Sequence, residues 1–139
     1  MEDLHSLLTL FEAVGFSTAA QPYDRARQIW RETIESKQVA VFVVDGNNEV
    51  AATCTLITAP NLLREGQQHG FLENVATHPD YQGRGFGRAV VTAALEYAWQ
   101  VDCHHVLMQS GKTEPRVHTF YKRIGFQSGL RAGYVATRR

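Results

Sequence analysis

Asn74-Val-Ala-Thr-His-Pro-Asp-Tyr-Gln-Gly-Arg-Gly-Phe-Gly-Arg88 decides how this chain folds. The apolar run from Phe71 to Thr77 reads as a strand that Pro79 cuts off. Glycines at 83, 85 and 87 then alternate with larger residues. From Gly85 to Val101 the apolar residues Val90, Val91, Ala94, Leu95, Ala98 and Trp99 fall at helical spacing and should face inward. Strand, glycine-rich turn and helix therefore follow one another directly. A helix that begins there leaves its first amides unpaired and sets its positive end at the turn. The glycines let backbone approach a ligand closely, and Arg84 and Arg88 add charge beside it. The segment predicts an anion site.

Upstream, Leu4, Leu7, Leu8, Phe11 and Val14 predict a helix stopped by Gly15. Pro22 suits the first turn of a second helix, which carries Ala26, Ile29, Trp30 and Ile34 and ends near Lys37. Gln38 to Val44 and Val50 to Thr58 read as a hairpin about Asp45-Gly-Asn-Asn48, and Pro60 to Gly70 as a polar loop. Downstream come a strand over 104–109, a loop over 110–113, and a helix from Pro115 to Ile124 closed by Gly125. Phe126 to Ser128 and Arg131 to Thr137 are read as terminal strands. The order is α-α-β-β-β-α-β-α-β-β, an α/β (α+β) chain with a mixed sheet covered by helices, forming one domain over 1–139.

At 139 residues the chain is long enough for one core. Fourteen basic residues balance fourteen acidic ones, so no global field draws it to nucleic acid or an anionic membrane. No stretch has the length of a transmembrane helix, and the first ten residues, with Glu2 and Asp3, lack the basic start of a signal peptide. Cys54 and Cys103 make no CxxC pattern and read as reduced, buried thiols, so a cytoplasmic location is expected. The six histidines show no zinc spacing, and no metal is implied. His104 and His105 should point to opposite faces of a strand.

Three readings of the glycine segment compete. It could be a connection without a ligand. A nucleotide loop would need GxxxxGK[ST] or GxGxxG, and the spacing here is GxGxG. The third reading is a coenzyme A site. Gln82-Gly-Arg-Gly85-Phe-Gly87, preceded by Val75-Ala-Thr-His-Pro79, resembles the [Q/R]xxGx[G/A] motif of the GNAT acetyltransferases. Phe120-Tyr121-Lys-Arg-Ile-Gly125-Phe126 resembles the same family's FYxxxGF segment. The resemblance runs through about residues 38 to 137 and implies a GNAT fold with a mostly antiparallel mixed sheet. It implies that the amides of Gln82, Gly83, Arg84, Gly85, Phe86, Gly87 and Arg88 hold the pyrophosphate of acetyl-CoA. It also implies that the strand splays at Val75, Ala76 and Thr77, where Val75 donates to the thioester carbonyl. Two departures stand out: the chain starts inside the family's first helix, and Glu114-Pro115 replaces an Asn that often contacts pantetheine.

Acetyl transfer to an amine requires a proton acceptor, a polarised carbonyl, proximity, and a proton for the leaving thiolate. The resemblance puts Tyr121 beside the thioester sulfur as the acid, and a phenol of pKa about 10 can protonate a thiolate. Alternatively Tyr121 only packs with Val117, Phe120 and Ile124. Glu73 is the candidate base, because an acidic residue in an apolar strand needs a partner or a task; a salt bridge is the other reading. Alternation places Glu73 and Val75 on one face and Asn74 on the other. Leu-Glu-Asn-Val also resembles the Ile-Glu-Asp-Val run of the glucosamine-6-phosphate N-acetyltransferase branch. His118 shares a helix face with Tyr121 and reads mainly as a surface residue.

Arg64, Glu73 and Asn74 are candidate acceptor contacts, and the loop that holds Arg64 could equally be solvated surface. The expected activity is N-acetylation of a primary amine of a small molecule by direct attack in a ternary complex. An amino-sugar phosphate is the preferred acceptor, and neither cysteine forms an intermediate. The alternatives are a protein or peptide N-acetyltransferase and a coenzyme A-binding module without turnover. A homodimer is expected, because Gly133-Tyr-Val-Ala136 would otherwise be an exposed strand edge.

Overall fold

The computed structural model describes residues 3–111 and 114–138. The chain forms two compact units, Met1–Met108 and Gln109–Arg139. The first contains α1 (Asp3–Val14), α2 (Tyr23–Glu35), β1 (Val39–Asp45), β2 (Val50–Ala59), β3 (Gln68–Thr77), α3 (Phe86–Gln100) and β4 (Cys103–Met108). The sheet order is β1-β2-β3-β4. The first two pairings are antiparallel and β3–β4 is parallel, because α3 carries the chain back across the sheet between them.

Alternation along β1 assigns the two faces. Val41 and Val43 pack with Leu7 and Leu10 of α1 and Trp30 of α2, over Val50 and Ala76. Phe42 points the other way, into a cluster with Leu56, Ala98, Cys103 and Tyr97 under α3. Leu10, Leu56, Leu72, Val90 and Val91 are fully buried and anchor helices to both faces, at roughly 1.5–3 kcal/mol each by burial of apolar area. Among the described residues, no helix is long and apolar enough to cross a membrane.

Several boundaries and faces differ from the sequence reading. Pro22 caps α2 from outside its first turn. Ala26 is the buried residue of α2, whereas Ile29 and Ile34 are exposed, because the helix lies over the sheet by one narrow stripe. Trp99 likewise lies outside, leaving Val90, Val91, Ala94 and Ala98 as the buried face of α3. β3 begins at Gln68, and the shortened loop before it contains a 3-10 turn, Arg64–Gly66.

The second unit contains α4 (Pro115–Ile124). Gly125 ends it with φ 124°, and its amide donates to the carbonyls of Tyr121 and Lys122. The two terminal strands do not form: 126–128 and 131–137 carry no strand, so the order among the described residues ends α-β-α. Alternation is not enough without a ladder partner, and Leu130, Tyr134 and Val135 stand exposed.

Candidate active site

The site is built at the C-terminal end of β3. On β2, Thr55 faces Glu73 and Thr53 faces Ala76, so Asn74 and Val75 together oppose Cys54. This is a β-bulge, and Asn74 occupies the left-handed region with φ 52°. Asparagine tolerates that conformation better than other side chains with a Cβ. The extra residue changes the alternation. Glu73 and Ala76 share a face through Thr55 and Thr53, and Val75 falls on the opposite one, correcting the expected Glu73/Val75 pairing. Glu73 and Asn74 are exposed and Val75 is half-buried.

On its other side β3 loses its neighbour. The pairing with β4 runs from Gln68–Cys103 to Leu72–Met108, while β3 continues to Thr77. Backbone from Glu73 to Thr77 therefore has no strand partner on that side among the described residues of the first unit. A bulge and an open edge coincide where the sequence reading expected a splay.

Beyond β3, the amide of His78 donates to Ala51 at 2.8 Å, and the Nδ1 of His78 accepts from the Asp80 amide at 3.1 Å. A 3-10 turn over Pro79–Tyr81 follows. Gly83 and Gly85 have φ 74° and 84°, and Gly85 caps α3 without a side-chain bond. The first helical bond runs from Ala89 N–H to Gly85 at 3.0 Å, so the amides of Phe86, Gly87 and Arg88 precede it. A Cβ at Gly83 or Gly85 would meet nothing within 4 Å, which leaves room over the loop for a ligand. These residues fit a pyrophosphate by orphan amides, helix dipole and clearance. The guanidinium of Arg84 lies over the rings of Tyr81 and Phe86, 5.3 and 5.4 Å from their centres.

Tyr121 stands on α4 in the second unit, edge-on to Phe120 at 5.0 Å and to Phe126 at 5.7 Å. At the start of α4, the carboxylate of Glu114 accepts from Arg116 Nε at 3.1 Å. Arg64 is exposed in the 3-10 turn with φ 54°, and the two residues before it, Leu62 and Leu63, are exposed as well. The two adjacent histidines do not diverge. Gln68 faces Cys103 but His69 faces His105, so His104 is an irregular residue, and the Nδ1 atoms of His104 and His105 are 2.8 Å apart.

Sequence reasoning missed Tyr81 and Gly46. Tyr81 was hidden in a polar turn, although a large aromatic there was the available signal; Gly46 was read only as part of a hairpin turn. A cavity of ≈ 300 Å³ beside that turn is lined by Asp3, Ser6, Asp45, Asn48 and Glu49 among others. Its carboxylates make it unlike the glycine-rich loop.

A model of the acetyltransferase (GNAT) family matches residues 1–126, and the chain belongs to that family. It is similar to the glucosamine 6-phosphate N-acetyltransferase of Trypanosoma brucei brucei, with 28% identity over 89 residues, 63% of this chain and 58% of that protein. The "Putative acetyltransferase" of Agrobacterium tumefaciens str. C58 superposes with TM-score 0.89 and 32% identity, covering 98% of this chain and 94% of that one. AAC(6')-Iy, solved in complex with the bisubstrate analogue CoA-S-monomethyl-acetylneamine, shares the fold with TM-score 0.75 at 14% identity, over 98% and 92% of the chains. The chain spans about half the length of the curated relatives it matches.

Proposed function

We propose that this chain is an N-acetyltransferase that moves an acetyl group from acetyl-CoA to a primary amine of a small molecule. The observation that carries the reading is that β3, which has no strand partner on its β4 side after Leu72 among the described residues, leads through one short loop to the orphan amides that open α3. The edge suits the pantetheine arm and the Val75 amide the thioester carbonyl, while Gln82 to Arg88 suit the pyrophosphate. The family match over residues 1–126 includes Glu73, the glycine-rich loop and Tyr121.

In the proposed reaction the amine attacks the acetyl carbon directly. The new C–N bond forms, the C–S bond breaks, Glu73 takes the amine's proton, and Tyr121 gives its phenolic proton to the departing thiolate. A bound carbonyl polarised by a fixed amide stabilises the charge that develops on oxygen. An amino-sugar phosphate is the preferred acceptor, since a relative carries that substrate in its name. Arg64 and Asn74 are its proposed contacts. The two free cysteines suit a reducing compartment, and a cytoplasmic homodimer belongs to the same proposal.

The test is calorimetry with acetyl-CoA on the wild type and on Gly85→Glu. An acidic side chain at Gly85 projects into the open space over the loop and needs φ 84°, so it should abolish binding. Wild-type binding, lost in the variant, leads to a thiol-release screen of amines beginning with glucosamine 6-phosphate. A wild type that does not bind overturns the reading.

A further inference from the structure

We propose that Tyr81 is a positioning residue, a latch that ties the glycine-rich loop to the turn between β1 and β2 and holds the loop ready for its anion. The inference rests on the acetyl-CoA reading of that loop. Tyr81 lies in a surface connection yet is only 5% exposed. Its hydroxyl accepts from the Asn47 amide at 3.0 Å and donates to Glu49 Oε1 at 3.0 Å. Both partners belong to the distant hairpin turn, which is itself closed by Gly46 N–H to Glu49 carbonyl at 2.8 Å. A bond from phenol to carboxylate is of the stronger, charge-assisted kind.

The ring is as engaged as the hydroxyl. It meets His78 edge-on at 5.8 Å and Phe86 at 5.6 Å, the residues on either side of the loop. Arg84, inside the loop, lies over the same Tyr81 and Phe86 rings. Gly46 shows how closely the pieces fit. It has no positive φ, so its glycine is not required by backbone conformation. A Cβ there would overlap Cε1 and Cζ of Tyr81, so the glycine is required by the ring. One tyrosine thus contacts the loop's entrance, its interior, its exit and an independent part of the sheet.

This arrangement matters because Gly83 and Gly85 give the loop little stiffness of its own. A loop that must be ordered on binding loses affinity, and one ordered beforehand does not. Removing the hydroxyl should therefore weaken the cofactor without touching the groups proposed to contact it.

The experiment measures acetyl-CoA affinity by calorimetry, and trypsin cleavage after Arg84 in cofactor-free protein. Tyr81→Phe and Glu49→Ala should each weaken acetyl-CoA by about five- to tenfold, the scale of one or two lost hydrogen bonds. Glu49→Gln, which keeps an acceptor oxygen, should recover most of that loss. Gly46→Ala, which displaces the ring, should act in the same direction. Cleavage after Arg84 should quicken in the weakened variants while cleavage after Arg31 in α2 keeps its wild-type rate. Unchanged affinity and unchanged Arg84 cleavage in Tyr81→Phe would overturn the latch. Faster cleavage at both sites with a lowered melting temperature would overturn it too, since Tyr81 would then merely support the fold. A wild type that fails to bind acetyl-CoA would refute the cofactor reading instead, and Arg84 cleavage would still report on the latch.

Discussion

Tyr121 and Glu73 carry the proposed proton transfers from different settings. Tyr121 is half-buried against Phe120 and Phe126, whereas Glu73 is exposed on the β3 edge. If Tyr121 protonates the leaving thiolate, Tyr121→Phe keeps the ring and removes the hydroxyl that carries the proton. Turnover with an amine found by the thiol-release screen should fall by roughly 10²–10⁴-fold, the usual contribution of a positioned acid, with acetyl-CoA affinity nearly unchanged. Unchanged turnover would remove Tyr121 from that role. The sequence proposes these two residues by type and motif, but it does not show the bulge that separates Glu73 from Val75. Leu-Glu-Asn-Val reads as plain alternation, and an asparagine that tolerates the left-handed region is too weak a signal to mark Asn74 as the bulge. Tyr81 was illegible for a related reason: its partners Asn47 and Glu49 are distant in the chain, and only folding brings them together.

At the scale of elements, the strand-loop-helix unit was the most legible part. Glycine spacing and the helical period of α3 are local signals that the fold leaves intact. The terminal strands failed because pairing is not local. β2 is the best-covered element, and its contact with α3 gives a measurable consequence. Cys54 is wholly buried, its thiol donates to the Val90 carbonyl at 3.4 Å, and burial pushes its pKa up from 9.0 to about 12. In the unfolded chain the thiol ionises near its ordinary value, while the folded one keeps its proton. The stabilisation is therefore complete below about pH 9 and lost as pH rises toward about 12, at about 1.4 kcal/mol per pH unit. Cys103, raised by burial and secondarily by the Asp102 charge, adds to the same trend. Urea midpoints should fall between about pH 8.5 and 10.5, and less steeply in Cys54→Ala. Equal slopes would show that Cys54 does not control the alkaline limb.

For the whole molecule, the chain offers exposed apolar side chains without a strand to carry them. Leu130, Tyr134 and Val135 are each more than 70% exposed, a poor arrangement for a surface left to water. With formal net charge +0 at pH 7, no net repulsion opposes self-association. The proposed homodimer would cover this segment. Sedimentation should show twice the chain mass of 15.6 kDa, shifting toward the monomer in Tyr134→Asp. A wild-type monomer would overturn the proposal.

The bulge at Asn74 has a meaning for how such a chain can change. One additional residue resets the phase of β3, so the part that builds the core and the part that ends at the loop keep separate rhythms. Substitutions at Leu72 are constrained by the interior, those at Val75 by whatever lies along the open edge. The strand can thus be retuned for a new ligand at one end without re-registering the sheet at the other, whereas deleting a single residue there would force both ends back into step.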